Sequence, residues 1–205
     1  MKDWSELASD ESITKTIEAL KANGINAIVV ENGDRAKKKV LELLPKGAEI
    51  MNMSSVTIDT LGLPTEINES GIYNSVKNKL AKMDRKTQNL EMQRIGAAPQ
   101  YAVGSVHVVT QDGKVIIASN TGSQLPAYVY GASHVIWVVG TQKIVANLEQ
   151  GLKRIYEYVL PLESERINKV YKTNSGSNVS KMLIINKERK EGRLTLILVK
   201  EKLGF

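Results

Sequence analysis

Residues 115–151 read VIIASNTGSQLPAYVYGASHVIWVVGTQKIVANLEQG. Val115-Ile116-Ile117-Ala118 is a short, largely β-branched run that predicts a strand, and a loop rich in Gly, Ser and Thr fills 120–133. Val135-Ile136-Trp137-Val138-Val139 is again apolar and of strand length. From Val145 the apolar period changes: Val145, Leu148, Leu152, Ile155 and Val159 recur at helical spacing, and Pro161 is expected to stop the helix. Strand, loop, strand and helix in so short a span place the core of an α/β fold here.

Upstream, Val106 and Val108 alternate with Ser105, His107 and Val109, and Asp112-Gly113 then turns the chain into 115–118, which predicts a β-hairpin. Nearer the N-terminus, Ile13, Ile17 and Leu20 follow the cap candidates Ser9 and Asp10 and stop at Gly24, predicting a helix over 10–23. The run 25–31 reads as a strand, Asp34 as the cap of a basic helix ending before Pro45, 48–52 as a second strand, and Ser54-Ser55 as the cap of a short helical stretch broken at Gly62 and Pro64. Ile72, Val76, Leu80 and Met83 suggest two helices within 65–95. Downstream, 174–178 reads as a linker, followed by strands at 181–186 and 193–199 joined as a hairpin across Glu191-Gly192. The expectation is one α/β domain over 1–205, a three-layer sandwich with a mixed, mostly parallel sheet. Residues 1–9 form an N-terminal extension in this reading, and 181–205 a C-terminal hairpin and tail.

Apolar residues make up 42% and charged residues 24%, far from the signature of disorder. Cysteine is absent, which excludes disulfides, thiolate metal sites and all-cysteine iron–sulfur clusters. Neither a signal-peptide core nor a run of ~20 apolar residues occurs, so a cytoplasmic protein that does not span a membrane is expected. The net charge of +6 is uneven: residues 1–165 carry 18 basic and 19 acidic side chains, and residues 166–205 carry 10 and 3. A basic tail can draw a polyanion, but without interleaved aromatics it reads as a lysine-rich solvated hairpin, and nucleic acid is not expected. The glycine fingerprints of dinucleotide and nucleotide-phosphate loops are missing.

Two loops suit an anion. In Ser119-Asn120-Thr121-Gly122-Ser123-Gln124, small residues can let backbone N–H groups converge, Gly122 can take a positive φ, and Asn120, Thr121 and Ser123 add polar side chains; a plain turn with local hydroxyl bonds would have the same composition. Ser54, Ser55 and Thr57 sit where a strand meets a helix N-terminus, a place that favours carboxylate or phosphate and equally favours N-cap serines. Lys143, on the turn after the second strand of the opening stretch, can reach an anion or be one more solvated lysine. Arg166 can fork onto a carboxylate, whether of a ligand or of a surface ion pair. His107, with a pKa ordinarily near neutrality, is the catalytic candidate, as general base or as a satisfied structural histidine; His134 lies at the start of a core strand.

The stretch from Ser119 to Gln124, with the V-G-x-x-K-I-V turn Val139-Gly140-Thr141-Gln142-Lys143-Ile144-Val145, resembles the LUD-domain family of lactate-utilisation proteins. Gly104-Ser105-Val106, Ser54-Ser55-Val56-Thr57 and the Pro161 to Arg166 spacing add to it, and the resemblance spans about 10–200. It implies the fold of the ribose-phosphate isomerase and CoA-transferase group, and it brings Gly140 and Lys143 into the candidate ligand set. The cysteine sets of iron–sulfur-bearing members are lacking. No carboxylate stands in 119–124 to act as a CoA-transferase nucleophile, and an isomerase base would have to be found among Glu69, Asp84, Glu91 and Asp112. The expected function is a part in lactate or related 2-hydroxy-acid use by binding a small anionic metabolite. No cofactor or metal is expected on this chain, a separate iron–sulfur oxidoreductase is the expected partner, and homo-oligomerisation is left open. A stand-alone enzyme on a phosphosugar or acyl-CoA-like substrate, or a non-catalytic partner-binding module, are the alternatives.

Overall fold

The computed structural model describes residues 3–205. Ten strands and eight α-helices alternate among those residues. Helix α1 (Asp10–Ala22) opens with the Ser9 hydroxyl accepting from the Ser12 N–H, and β1 (Asn26–Val30) follows. In α2 (Gly33–Leu43) the cap is Asn32, whose side chain accepts from the Arg35 N–H, and not Asp34. Next come β2 (Glu49–Asn52), α3 (Val56–Thr60), α4 (Leu63–Glu69), β3 (Asn74–Ser75), α5 (Val76–Ala81) and α6 (Asn89–Ala97). The two helices expected over 65–95 are thus interrupted by a two-residue strand, and Ile72 lies outside any helix, 46% exposed.

Strand β4 (Tyr101–Gly104) is followed by β5 (Val108–Thr110) and β6 (Val115–Ser119), with Ser105, Val106 and His107 forming a bend between strands where continuous alternation was expected. Then come a π turn over Ala127–Gly131, β7 (His134–Gly140), a 3-10 turn over Thr141–Lys143, and β8 (Ile144–Val145). Pro161 does not stop the following helix. Helix α7 (Leu148–Arg154) widens into a π turn at Ile155–Val159 and continues as α8 (Leu160–Tyr171). Pro161 falls in the first turn of α8, just after the register shift, where its missing N–H is tolerated.

Strands β9 (Lys181–Ile185) and β10 (Leu194–Val199) do not form the expected hairpin. Strand β9 pairs antiparallel with β6. Strand β10 lies in the middle of the main sheet, parallel to β1 and to β7. The reason is in its composition: Leu194 to Val199 is buried at every position, the pattern of a strand covered on both faces, whereas a solvated hairpin would alternate. The basic tail is therefore not a lysine-coated hairpin.

Six parallel strands, ordered β1-β10-β7-β4-β2-β3, make the main sheet, and β8-β5-β6-β9 make a smaller mixed one. One core lies between the main sheet and the α2 to α4 side, around Val40, Ile58, Leu63, Ile136 and Ile197. Another fills the space between the opposite face, α1 and the small sheet, around Leu20, Ile117, Trp137 and Leu196. A third packs Ile155 against Val108, Ile116 and Val145 on the back of the small sheet. Each fully buried Leu, Ile or Val contributes about 1.5–3 kcal/mol of transfer free energy. Among the described residues no helix is long and apolar enough to cross a membrane.

Candidate functional site

The strand order creates a crevice. The chain leaves β2 outward to β3 but leaves β4 in the opposite direction, towards β7, so the loops after these adjacent strands diverge. Open α/β sheets bind ligands at such a switch point, beyond the carboxyl ends of the strands. A cavity of about 600 Å³ lies there, walled by the loop after β2, the bend after β4, Lys143 after β7, the end of β6 and the helix face from Ile155 to Ile167. Gly104 fits this packing because a Cβ there would collide with the Tyr128 hydroxyl, which also faces the cavity.

Lys143 is 2% exposed. Its Nζ donates to Thr57 Oγ1 at 3.0 Å, to Ser105 Oγ at 3.2 Å and to the Val106 carbonyl at 3.1 Å. All three acceptors are neutral. Among the described residues no carboxylate forms an ion pair with it. The Thr57 hydroxyl is oriented by its own donation to the Leu203 carbonyl at 3.2 Å, so it can only accept from the lysine. Burial first, and then the nearby Arg154 guanidinium, bring the Lys143 pKa down to about 7. Arg154 is fully buried, donates from Nη1 to the His107 carbonyl at 2.8 Å and stacks 5.2 Å from the Tyr158 ring centre. Of the two readings of Lys143, the solvated one fails: the 3-10 turn points the side chain inward, under the bend after β4.

His107 is held from below. Its Nδ1 accepts from the Ala118 N–H at 3.1 Å, which puts the proton of the neutral ring on Nε2. Burial, then Lys143 and Arg154, push its pKa down to about 3, so it stays neutral at physiological pH. A general-base role is not what this geometry favours. The ring presents an N–H donor to the cavity it lines.

The loop at 119–124 turns its hydrogen bonds inward. The Gly122 N–H donates to Ser119 Oγ at 2.8 Å, the Ser123 N–H to Thr121 Oγ1 at 3.3 Å, and Ser119 Oγ donates to Gln124 Oε1 at 2.9 Å. The expected nest of free N–H groups is therefore absent at Gly122 and Ser123. Ser54 and Ser55 behave differently: Ser55 is at the N-cap position of α3 without a side-chain cap bond, and neither hydroxyl has a partner among the described residues.

The family model of the LUD domain matches residues 13–199. The chain belongs to the LUD domain family. This LUD domain is similar in fold to the crystal structure of a DUF162 family protein from Deinococcus radiodurans, with a TM-score of 0.59 at 10% identity, over 95% of this chain and 99% of that one. No curated protein matches it. Its family makes it, in the general sense, a protein of lactate-utilisation type.

Within this LUD domain, Ser54, Ser55, Thr57, His107, Asn120, Thr121, Ser123, Lys143 and Arg166 all border the one cavity, whereas Gly122 and Gly140 do not. Gly122 takes the expected positive φ, +84°, and packs against the Lys181 side chain, while Gly140 packs against Gln142 and Glu201. Arg166 spends its fork on Glu163, with two bonds of 2.7 Å. His134 stacks on Tyr101 at the other end of β7, and the carboxylates Glu69, Asp84, Glu91 and Asp112 lie away from the cavity, whose acidic residues are Asp59 and Glu163. Sequence reasoning missed Arg154, read only as part of a periodic helix, and the role of Ser105. A basic residue at a buried position of the helix period was the available signal for Arg154.

Proposed function

We propose that this protein serves lactate or related 2-hydroxy-acid use by binding a small anionic metabolite in the cleft between the loops that follow β2, β4 and β7. The observation that carries this reading is the missing counter-charge of Lys143. Burying an ammonium costs several kcal/mol unless it is paired, and hydroxyl and carbonyl acceptors offset only part of that. An anion entering the cavity supplies the counter-charge that the ammonium form of Lys143 lacks. The free hydroxyls of Ser54 and Ser55 and the His107 N–H are then available to orient its oxygens.

A thermal-shift series with lactate, pyruvate, a phosphosugar and coenzyme A tests this, since a ligand at about a hundredfold over its Kd stabilises by about 2.7 kcal/mol. Stabilisation by a small carboxylate that disappears in Lys143→Met is the expected result. No shift with any of the four, or an equal shift in the variant, sinks the reading. The volume of about 600 Å³ exceeds what a three-carbon acid fills, which favours as second reading an enzyme on a larger phosphosugar or acyl-CoA-like substrate; stabilisation by those two compounds alone would select it. With no cysteine in the chain, a cysteine-ligated cluster taking electrons from the hydroxy acid would sit on a separate iron–sulfur oxidoreductase.

A further inference from the structure

Lys143 has a second feature that anion binding leaves unused: its amine ends inside the cavity, between a fixed acceptor and a rotatable hydroxyl. Thr57 is committed to Leu203. Ser105 is not, because its hydroxyl proton goes only to the Val106 carbonyl at 3.4 Å, a long contact that costs little to break. His107, whose neutral ring carries its proton on Nε2, borders the same cavity, as do Ser54 and Ser55, whose hydroxyls have no partner among the described residues. A buried amine beside another cation is a known way to make lysine nucleophilic towards carbonyls.

We propose that Lys143 condenses through Nζ with the carbonyl carbon of a 2-oxo acid held in this cavity, giving an imine; the inference rests on the anion-site reading above. The class of substrate follows from the two halves of the site. An amine with a neighbouring N–H donor suits a carbonyl, and uncharged hydroxyl donors suit a carboxylate without forcing the lysine back to ammonium. A carboxylate next to the carbonyl also withdraws electrons and activates it.

The step balances without a co-reactant. The nitrogen lone pair forms the N–C bond while the carbonyl π pair moves to oxygen, where the His107 N–H stabilises the charge. One N–H proton crosses to that oxygen by way of Ser105. The C–O bond then breaks, and water leaves with the second N–H proton, so both hydrogens of the amine end on the departing oxygen. The groups facing Lys143 support a neutral amine: Arg154 is cationic, His107 is neutral, Glu163 is neutralised by Arg166, and Asp59 stands exposed at the rim. Burial and Arg154 hold Lys143 to about 7, so an appreciable share is unprotonated near neutrality.

The test treats the full chain with pyruvate and sodium cyanoborohydride near neutral pH, maps adducts by peptide mass, and records thermal shift with pyruvate alone. The expected result is a reduced adduct on Lys143 with no comparable adduct on any other lysine. Lys143→Arg should lose the adduct but keep a thermal response, since it retains the cation and not the nucleophile. A thermal shift without an adduct at Lys143 overturns the imine and leaves anion binding standing. Neither shift nor adduct overturns both. Adducts spread over surface lysines also overturn the imine, and this outcome is read on the wild-type chain even if the arginine variant does not fold.

Discussion

The loop at 119–124 and the turn that ends in Lys143 border the same cavity and were both candidates for anion binding, yet they manage their polar groups in opposite ways. In the loop, Ser119 receives the Gly122 N–H and Thr121 receives the Ser123 N–H, so its polarity is consumed locally. At the turn, a charged group is buried with three neutral acceptors and no counter-ion among the described residues. A string of small polar residues therefore says less about a ligand than one charge whose balance is left open, because hydroxyls can satisfy each other within a turn and an ammonium cannot neutralise itself.

The largest effect that sharpens this contrast is a pH dependence. The folded-state pKa of Lys143 lies below its unfolded value of 10.5, so the unfolded chain binds a proton that the folded chain releases between about 7 and 10.5, and stability rises with pH across that window. At 1.36 kcal/mol per unit, the gain between about pH 7 and pH 9.5 is on the order of 3 kcal/mol. Urea unfolding across that range should show the rise in the wild type and a flatter profile in Lys143→Met. Parallel profiles would mean that the turn is as well balanced as the loop.

Next in size is Ser119→Ala, which removes the acceptor of the Gly122 N–H and the donor to Gln124. Its cost should be about 1–3 kcal/mol with pyruvate or lactate response intact. Loss of the ligand response at unchanged stability would reverse the roles assigned to loop and turn. Gly122→Ala, at φ +84° with the Lys181 side chain close by, should destabilise by roughly 1–2 kcal/mol, again without a binding phenotype, as read by thermal melts with and without ligand. The smallest change in stability belongs to Ser54→Ala, within about 0.5 kcal/mol because the hydroxyl is exposed and unpartnered. It should nevertheless weaken the anion response measured by calorimetry, and an unchanged affinity would remove Ser54 from the site.

Much of the site was legible because the strand-end loops carry their chemistry locally. Ser54 and Ser55 follow a strand with turn chemistry that placed them correctly, and the G-x-x-K turn after Val139 pointed to Lys143 before its environment was known. The inward direction of that lysine was not legible. It depends on the bend at Ser105 to His107, supplied from 36 to 38 residues upstream, and on Thr57, 86 residues away. Likewise, the His107 tautomer is set by the backbone N–H of Ala118, eleven residues on in β6, and not by an adjacent acidic residue.

Taken by itself, the sequence determined the succession of strands and helices, the core strand at Val135 to Val139, and the exclusion of cysteine chemistry. These follow from period, composition and chain stereochemistry within a few residues. Only the tertiary structure decided that β10 inserts between β1 and β7 and does not fold back on β9, since parallel partners lie far apart in the chain and the choice is made by which faces remain uncovered. The same assembly decided that Arg154 and Lys143 share a buried region with no paired acid among the described residues. Burial and field are sums over elements distant in sequence, and no local pattern encodes them.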